Sequence, residues 1–155
     1  MRIGVTTAVA ALGVVLAQGA RAQAFDATNP ASVVAAVKAF GQKAKLGTTD
    51  KNEPMIRAES DGISYVIFFY DCTNGTGCLQ LQFSSAFDLE PGLTTDFVND
   101  WNEKWVTGRL SVDASGDPVY TFAVITDGGL SEANFQAILS TWTGTLADVV
   151  KDIGY

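Results

Sequence analysis

Ile63-Ser-Tyr-Val-Ile-Phe-Phe-Tyr-Asp-Cys72, then Thr73-Asn-Gly-Thr-Gly77, then Cys78-Leu-Gln-Leu-Gln-Phe83, is the stretch that decides the fold. Ile63 to Asp71 is rich in β-branched and aromatic residues, the side chains that suit a pleated sheet. Leu79 to Phe83 alternates apolar and polar, as a half-buried strand does. With Cys72 opposite Cys78, the pairing register of the hairpin follows. Tyr65, Ile67 and Phe69 then share an apolar core face with Leu79, Leu81 and Phe83. The second face carries Val66, Phe68 and Tyr70 beside Gln80 and Gln82, too aromatic for open water and too polar for a core. A slip of one residue would exchange the two faces, and a Cys72–Cys78 disulfide pins the register.

Working upstream, Ser60-Asp61-Gly62 marks a tight hairpin, because Asp-Gly tolerates the positive φ angles such turns require. Met55 to Glu59 reads as a strand, Asp50 to Pro54 as a turn, and Gln42 to Thr48 as the first strand. Before it, Asn29 caps a helix with Pro30 in its first turn. Val33, Val37 and Phe40 recur at helical spacing, and Gly41 stops the segment. Downstream, Leu93-Thr94-Thr95-Asp96 opens a second helix under a Thr cap. Phe97, Val98, Trp101 and Trp105 are expected to form its buried stripe. Arg109 to Asp113 and Val119 to Thr126 read as a hairpin. Ser131 caps a last helix, with Leu130 placed to staple onto Phe135. Phe135, Ile138, Leu139, Trp142, Leu146, Val149 and Ile153 keep its period. Gly144 inside that helix costs about 1 kcal/mol relative to Ala and marks a place for a bend or fray. The order α-β-β-β-β-α-β-β-α, with strands grouped between helices, predicts an α+β fold on an antiparallel sheet.

Met1-Arg2, the apolar run from Ile3 to Ala17 and the small-residue ending Ala22-Gln23-Ala24 have the three parts of a secretory signal. The run falls short of the roughly 20 residues a spanning helix needs. Cleavage is expected after Ala24, with Ala20-Arg21-Ala22 a weaker alternative, which divides the chain into a signal peptide, residues 1–24, and one domain, residues 25–155. The expected location is the periplasm or the medium. An oxidising compartment suits a disulfide between Cys72 and Cys78. Closing so short a loop contributes about 2–3 kcal/mol in the chain-entropy model. A redox-active pair is the alternative, but the spacing is not Cys-x-x-Cys.

Residues 25–155 hold eight Lys and Arg against 17 Asp and Glu, a net charge of −9. An acidic surface with no basic cluster in the sequence argues against nucleic acid, whose binding draws on Lys and Arg, and against anionic membranes. No further apolar run is long enough for membrane insertion. The chain has no histidine, which removes Ser-His and Cys-His nucleophile pairs and His-ligated metal. There is no phosphate loop and no dinucleotide fingerprint. Asp96, Asp100 and Glu103 form the one tight acidic group, and their plain reading is a solvated helix face. Asp113-Ala-Ser-Gly-Asp117 loosely resembles a calcium loop, but Pro118 follows where glycine is needed and no Glu stands at the twelfth position. A turn is the better reading. No catalytic residue, metal or cofactor is expected.

The runs Pro54–Cys72 and Cys78-Leu-Gln-Leu81, the helical Val98-Asn-Asp-Trp-Asn102, the Arg109 strand with its Asp113…Gly116-Asp117-Pro118 turn, and Gly128-Gly129-Leu-Ser131 together resemble the YbjN-domain family. Its most specific part is Asn99-x-Trp101-Asn102 leading to Arg109. The resemblance implies a bacterial sensory-transduction regulator whose fold is similar to type III secretion chaperones, with a surface that binds protein segments and a homodimer as one form. It brings no catalytic residues. Cytoplasmic roles described for such proteins do not transfer to a chain with an export signal.

Asn99, Trp101, Asn102 and Arg109 are expected to be structural, the two asparagine amides tying the second helix to the neighbouring turn. Phe68, Tyr70, Gln80 and Gln82 are the candidate protein-binding residues, unless one of the three helices covers their face; with three available, covering is favoured. The expected function is an exported, non-enzymatic, protein-binding module, chaperone-like or regulatory. The alternative is a periplasmic small-ligand sensor with a pocket between sheet and helices.

Overall fold

The computed structural model describes residues 24–155. The expected signal peptide, 1–24, falls outside the described residues except for Ala24. The elements are α1 (Pro30–Ala39), β1 (Lys43–Thr48), β2 (Pro54–Ser60), β3 (Ile63–Tyr70), β4 (Gln80–Ala86), α2 (Thr95–Lys104), β5 (Arg109–Val112), β6 (Pro118–Ile125) and α3 (Glu132–Ile153). Their order is the one read from the sequence. The strands form a six-stranded sheet, β1-β2-β3-β4-β6-β5, antiparallel throughout.

The caps are local and specific. Asn29 Oδ1 accepts from the Ala31 amide at 2.9 Å, Thr94 Oγ1 from Phe97 at 3.2 Å, and Ser131 Oγ from Asn134 at 3.1 Å. Each satisfies a first-turn donor that the helix itself cannot.

In the central hairpin Ile67 lies opposite Phe83, and Tyr70 opposite Gln80. The Cys72 and Cys78 sulfurs are joined at 2.10 Å. Beyond them Asn74 and Gly75, both at positive φ, turn the chain between reciprocal Thr73 and Thr76 backbone bonds. The core face is as read for Tyr65, Ile67, Phe69, Leu81 and Phe83, all buried. Leu79 departs from it, 41 % exposed, while Cys78 is wholly buried. The ladder ends at Tyr70 and Gln80, where Asp71 takes a φ of 54°, so Leu79 lies just outside β4 and strand alternation no longer fixes its side.

The three helices lie on one face of the sheet. Trp142 of α3 stacks on Tyr120 of β6 at 5.1 Å between ring centroids. It also meets Phe83 at 5.3 Å and Tyr65 at 5.4 Å. Trp101 of α2 meets the edge of Tyr120 at 5.6 Å, and Val33 and Val37 of α1 join the same core cluster. Side chains therefore fill the middle of the layer between sheet and helices, while a depression of about 360 Å³ lined by Phe40, Gln42, Lys43, Glu59 and Thr143 stands at its β1–β2 edge.

Two helical expectations are corrected. Phe97 is 36 % exposed, whereas Val98 and Trp101 are buried and Trp105 is partly so. Each four-residue step turns about 40° around a helix, so Phe97 falls at the margin of the stripe. In α3, Gly144 does not interrupt or fray the helix, which is continuous from Glu132 to Ile153. Trp142, Thr145 and Leu146 on either side of it are buried.

Candidate functional site

Because all three helices pack on one side, the expectation that one of them covers the second face fails. Among the described residues no element packs against it. Strand alternation places Phe68, Tyr70, Gln80 and Gln82 together there. Phe68 and Gln82 are directly opposite, as are Tyr70 and Gln80. The Tyr70 hydroxyl donates to Gln82 Oε1 at 2.9 Å, and Gln80 Nε2 donates to Asp71 Oδ2 at 3.0 Å. Tyr70, Asp71, Gln80, Gln82 and Ala123 line a shallow depression of about 320 Å³. Partial burial, and then the Glu53 carboxylate, push the Tyr70 hydroxyl pKa upward. Met55, opposite Phe68, is buried yet stands apart from the main core cluster. Ile125, opposite Gln80, is 63 % exposed.

The same face gathers charge. Sheet pairing aligns Lys45 with Arg57, Arg57 with Val66, Val66 with Ser84, Ser84 with Thr121 and Thr121 with Arg109. One row thus crosses all six strands, cationic at both ends. Lys43 lies on the same face and pairs with Glu59 at 2.7 Å. Lys45, Arg57 and Arg109 are exposed and have no carboxylate partner among the described residues, and residues 1–23 contain no Asp or Glu. The expectation of no basic cluster holds along the sequence and fails in space. The available signal was Lys43-Ala-Lys45 at strand period.

The Asn99–Arg109 motif organises structure. Asn102 Nδ2 donates to the Leu110 carbonyl at 2.9 Å, and Asn102 Oδ1 accepts from the Leu110 amide at 2.9 Å, which clamps α2 to β5. Asn99 is exposed, and the described bonds give its amide no such clamp. Trp101 Nε1 donates to Asp152 Oδ2 of α3 at 3.1 Å. Arg109 opens β5 beside Thr121. Sequence reading passed over Gly108, at φ 74°, where a Cβ would run into the Tyr120 ring; the Tyr120 hydroxyl donates to the Thr107 carbonyl at 3.3 Å.

The acidic groups weighed as candidate sites serve turns or face solvent. Asp113 Oδ1 accepts from the Ser115 amide at 2.8 Å and the Asp117 amide at 3.0 Å. Asp117 Oδ1 accepts from the Leu89 amide at 3.0 Å. Asp96, Asp100 and Glu103 are exposed. Asp100 lines a surface depression of about 330 Å³ with Phe97, Trp101, Lys104 and Asp152. Among the described residues no three His, Cys, Asp or Glu stand together as a metal set, and no helix is long and apolar enough to cross a membrane.

A family model described as "YbjN: Putative bacterial sensory transduction regulator" matches residues 29–154. The chain belongs to this family. No curated protein matches it. No solved structure matches it either, so the likeness to type III secretion chaperones rests on the family resemblance alone.

Proposed function

We propose, with family membership as premise, that this chain is an exported, non-enzymatic module that binds protein through the open face of its sheet, in a regulatory or chaperone-like role. The observation that carries the reading is the uncovered face itself. Half-buried Phe68 and exposed Tyr70 and Ile125 lie on the side of the sheet that no helix takes, and apolar side chains gathered at a surface mark interaction sites. The polar residues among them, Gln80, Gln82, Ser84 and Thr121, suit a surface that is solvated when free and covered when bound. Export is supported by the signal-like residues 1–24 and by the joined Cys72 and Cys78.

A photo-crosslinking residue at position 68, compared with one at exposed Ser140 on α3, tests the binding face in periplasmic extract. Capture specific to position 68, weakened by Tyr70→Ala with stability retained, is the expected result. If Tyr70→Ala leaves capture at position 68 intact but removes several kcal/mol of stability, Tyr70 serves packing within the sheet and the binding reading fails there. Intact-mass analysis of the natural product tests export: the expected species begins at Phe25 with both sulfurs oxidised.

A further inference from the structure

We infer that the occupant of the open face is an acidic protein segment lying across the strands along the Lys45–Arg57–Val66–Ser84–Thr121–Arg109 row. This rests on the protein-binding reading above and adds the chemistry of the partner. The fold concentrates four of the eight basic residues of 25–155 (Lys43, Lys45, Arg57 and Arg109) on one face, against one carboxylate on the strand positions of that face, Glu59. Residues 25–155, of net charge −9, thus present a locally cationic sheet, and the three cations without a carboxylate partner among the described residues sit at the two ends of one row.

Adjacent strands lie about 4.8 Å apart, so the row spans about 24 Å. That length fits an extended segment of about seven residues or a helix of about 16. Carboxylates near both ends would meet Lys45 and Arg57 on one side and Arg109 on the other. The uncharged middle, with Phe68 adjoining Val66, takes apolar or small side chains. Along the strands the polarity reverses, since the Tyr70 end meets Asp71 and Glu53, and this fixes which side of the row the segment's acids can occupy.

Charge also decides against the other occupants. A second copy meeting this face with its own would set Lys and Arg against Lys and Arg, and like charges across an interface suppress association. Nucleic acid and anionic lipid present extended negative fields to the whole molecule, whose net charge repels them. A short acidic segment meets the local row within a Debye length of about 8 Å and feels the rest of the molecule less.

The test is a display library of random 16-residue peptides selected on the purified protein, then on Lys45→Gln/Arg57→Gln/Arg109→Gln and Lys45→Glu/Arg57→Glu/Arg109→Glu. Peptides from the unaltered protein should carry Asp or Glu flanking an apolar centre. They should lose roughly ten-fold in affinity on the Gln variant, as three exposed ion pairs allow, and weaken as NaCl rises. The Glu variant should select Lys- and Arg-rich peptides, a reversal that a merely structural role could not produce. If peptides compete at Phe68 and Tyr70 but are not acidic, the partner chemistry is overturned while the protein-binding reading stands. If no selected peptide binds this face, both fall. Equal binding of phosphatidylglycerol vesicles or single-stranded DNA through the same three residues would overturn the assignment to protein.

Discussion

Asn102 does the work that a turn would otherwise leave to water. Its amide satisfies both the N–H and the C=O of Leu110, and both bonds are partly shielded from solvent. Asn102→Ala strands a donor and an acceptor together, each costing about 1–3 kcal/mol when left unpaired. Urea denaturation should therefore show a loss of about 2–4 kcal/mol, and Asn99→Ala a change within about 0.5 kcal/mol. Equal effects at the two positions would mean that the motif acts through something other than this clamp. The tyrosines extend residue chemistry to pH. Burial pushes the Tyr120 hydroxyl up to about 12, and Tyr65, which donates to Gln42, is raised further by burial. Unfolded tyrosine ionises near pH 10. The folded groups hold their protons longer, so the unfolded state binds fewer above that point. Their contribution is complete below pH 10 and lost as the pH climbs toward 12. Urea midpoints should fall across that window, with phenolate absorbance from two of the four tyrosines appearing only as the protein unfolds.

At the scale of elements, α3 carries an avoidable cost. Gly144 sits in mid-helix without positive φ, and an added Cβ would meet nothing within 4 Å. Gly144→Ala should stabilise by about 0.5–1 kcal/mol, from helix propensity and from a less flexible unfolded chain, read as a higher thermal midpoint at unchanged helical circular dichroism. A lower midpoint would show that the helix needs the glycine for packing that the structure does not contain. Elements were legible in the sequence because their causes are local. Asn29 and Ser131 cap where they were read to cap, and of the two threonines offered for the second helix Thr94 is the cap. Strand ends held at Thr48, Ile63 and Arg109 and elsewhere shifted by one to three residues, most at β4, which runs on to Ala86 through Ser84 and Ser85. Periodicity alone could not say that Ser85 would be buried, its hydroxyl donating to the Ser64 carbonyl at 2.8 Å.

At the scale of the molecule the sequence was least informative, because the side of the sheet a helix takes is decided by connections and packing between distant residues. Phe68 and Tyr70 were identifiable as second-face residues from the Cys72–Cys78 register, yet nothing local could say whether that face would be covered. Lys45, Arg57 and Arg109 are separated along the chain and become one row only through five strand pairings. The same separation sets the global electrostatics. With four cations on the open face, many of the 17 acids crowd the helical side and the loops around α2 (Asp88, Glu90, Asp96, Asp100 and Glu103), and the described residues contain the single ion pair Lys43–Glu59. Self-repulsion of this kind works against the compact state. Raising NaCl from 0.02 to 0.5 M, about a fivefold shortening of the screening length, should therefore stabilise the protein by about 1 kcal/mol, a rise of roughly 4 °C in thermal midpoint for a domain of this size. A midpoint that fell with salt would mean that attraction between the cationic sheet and the acidic loops outweighs repulsion among the acids. The open row would then already be neutralised from within, leaving no unspent charge for an acidic partner.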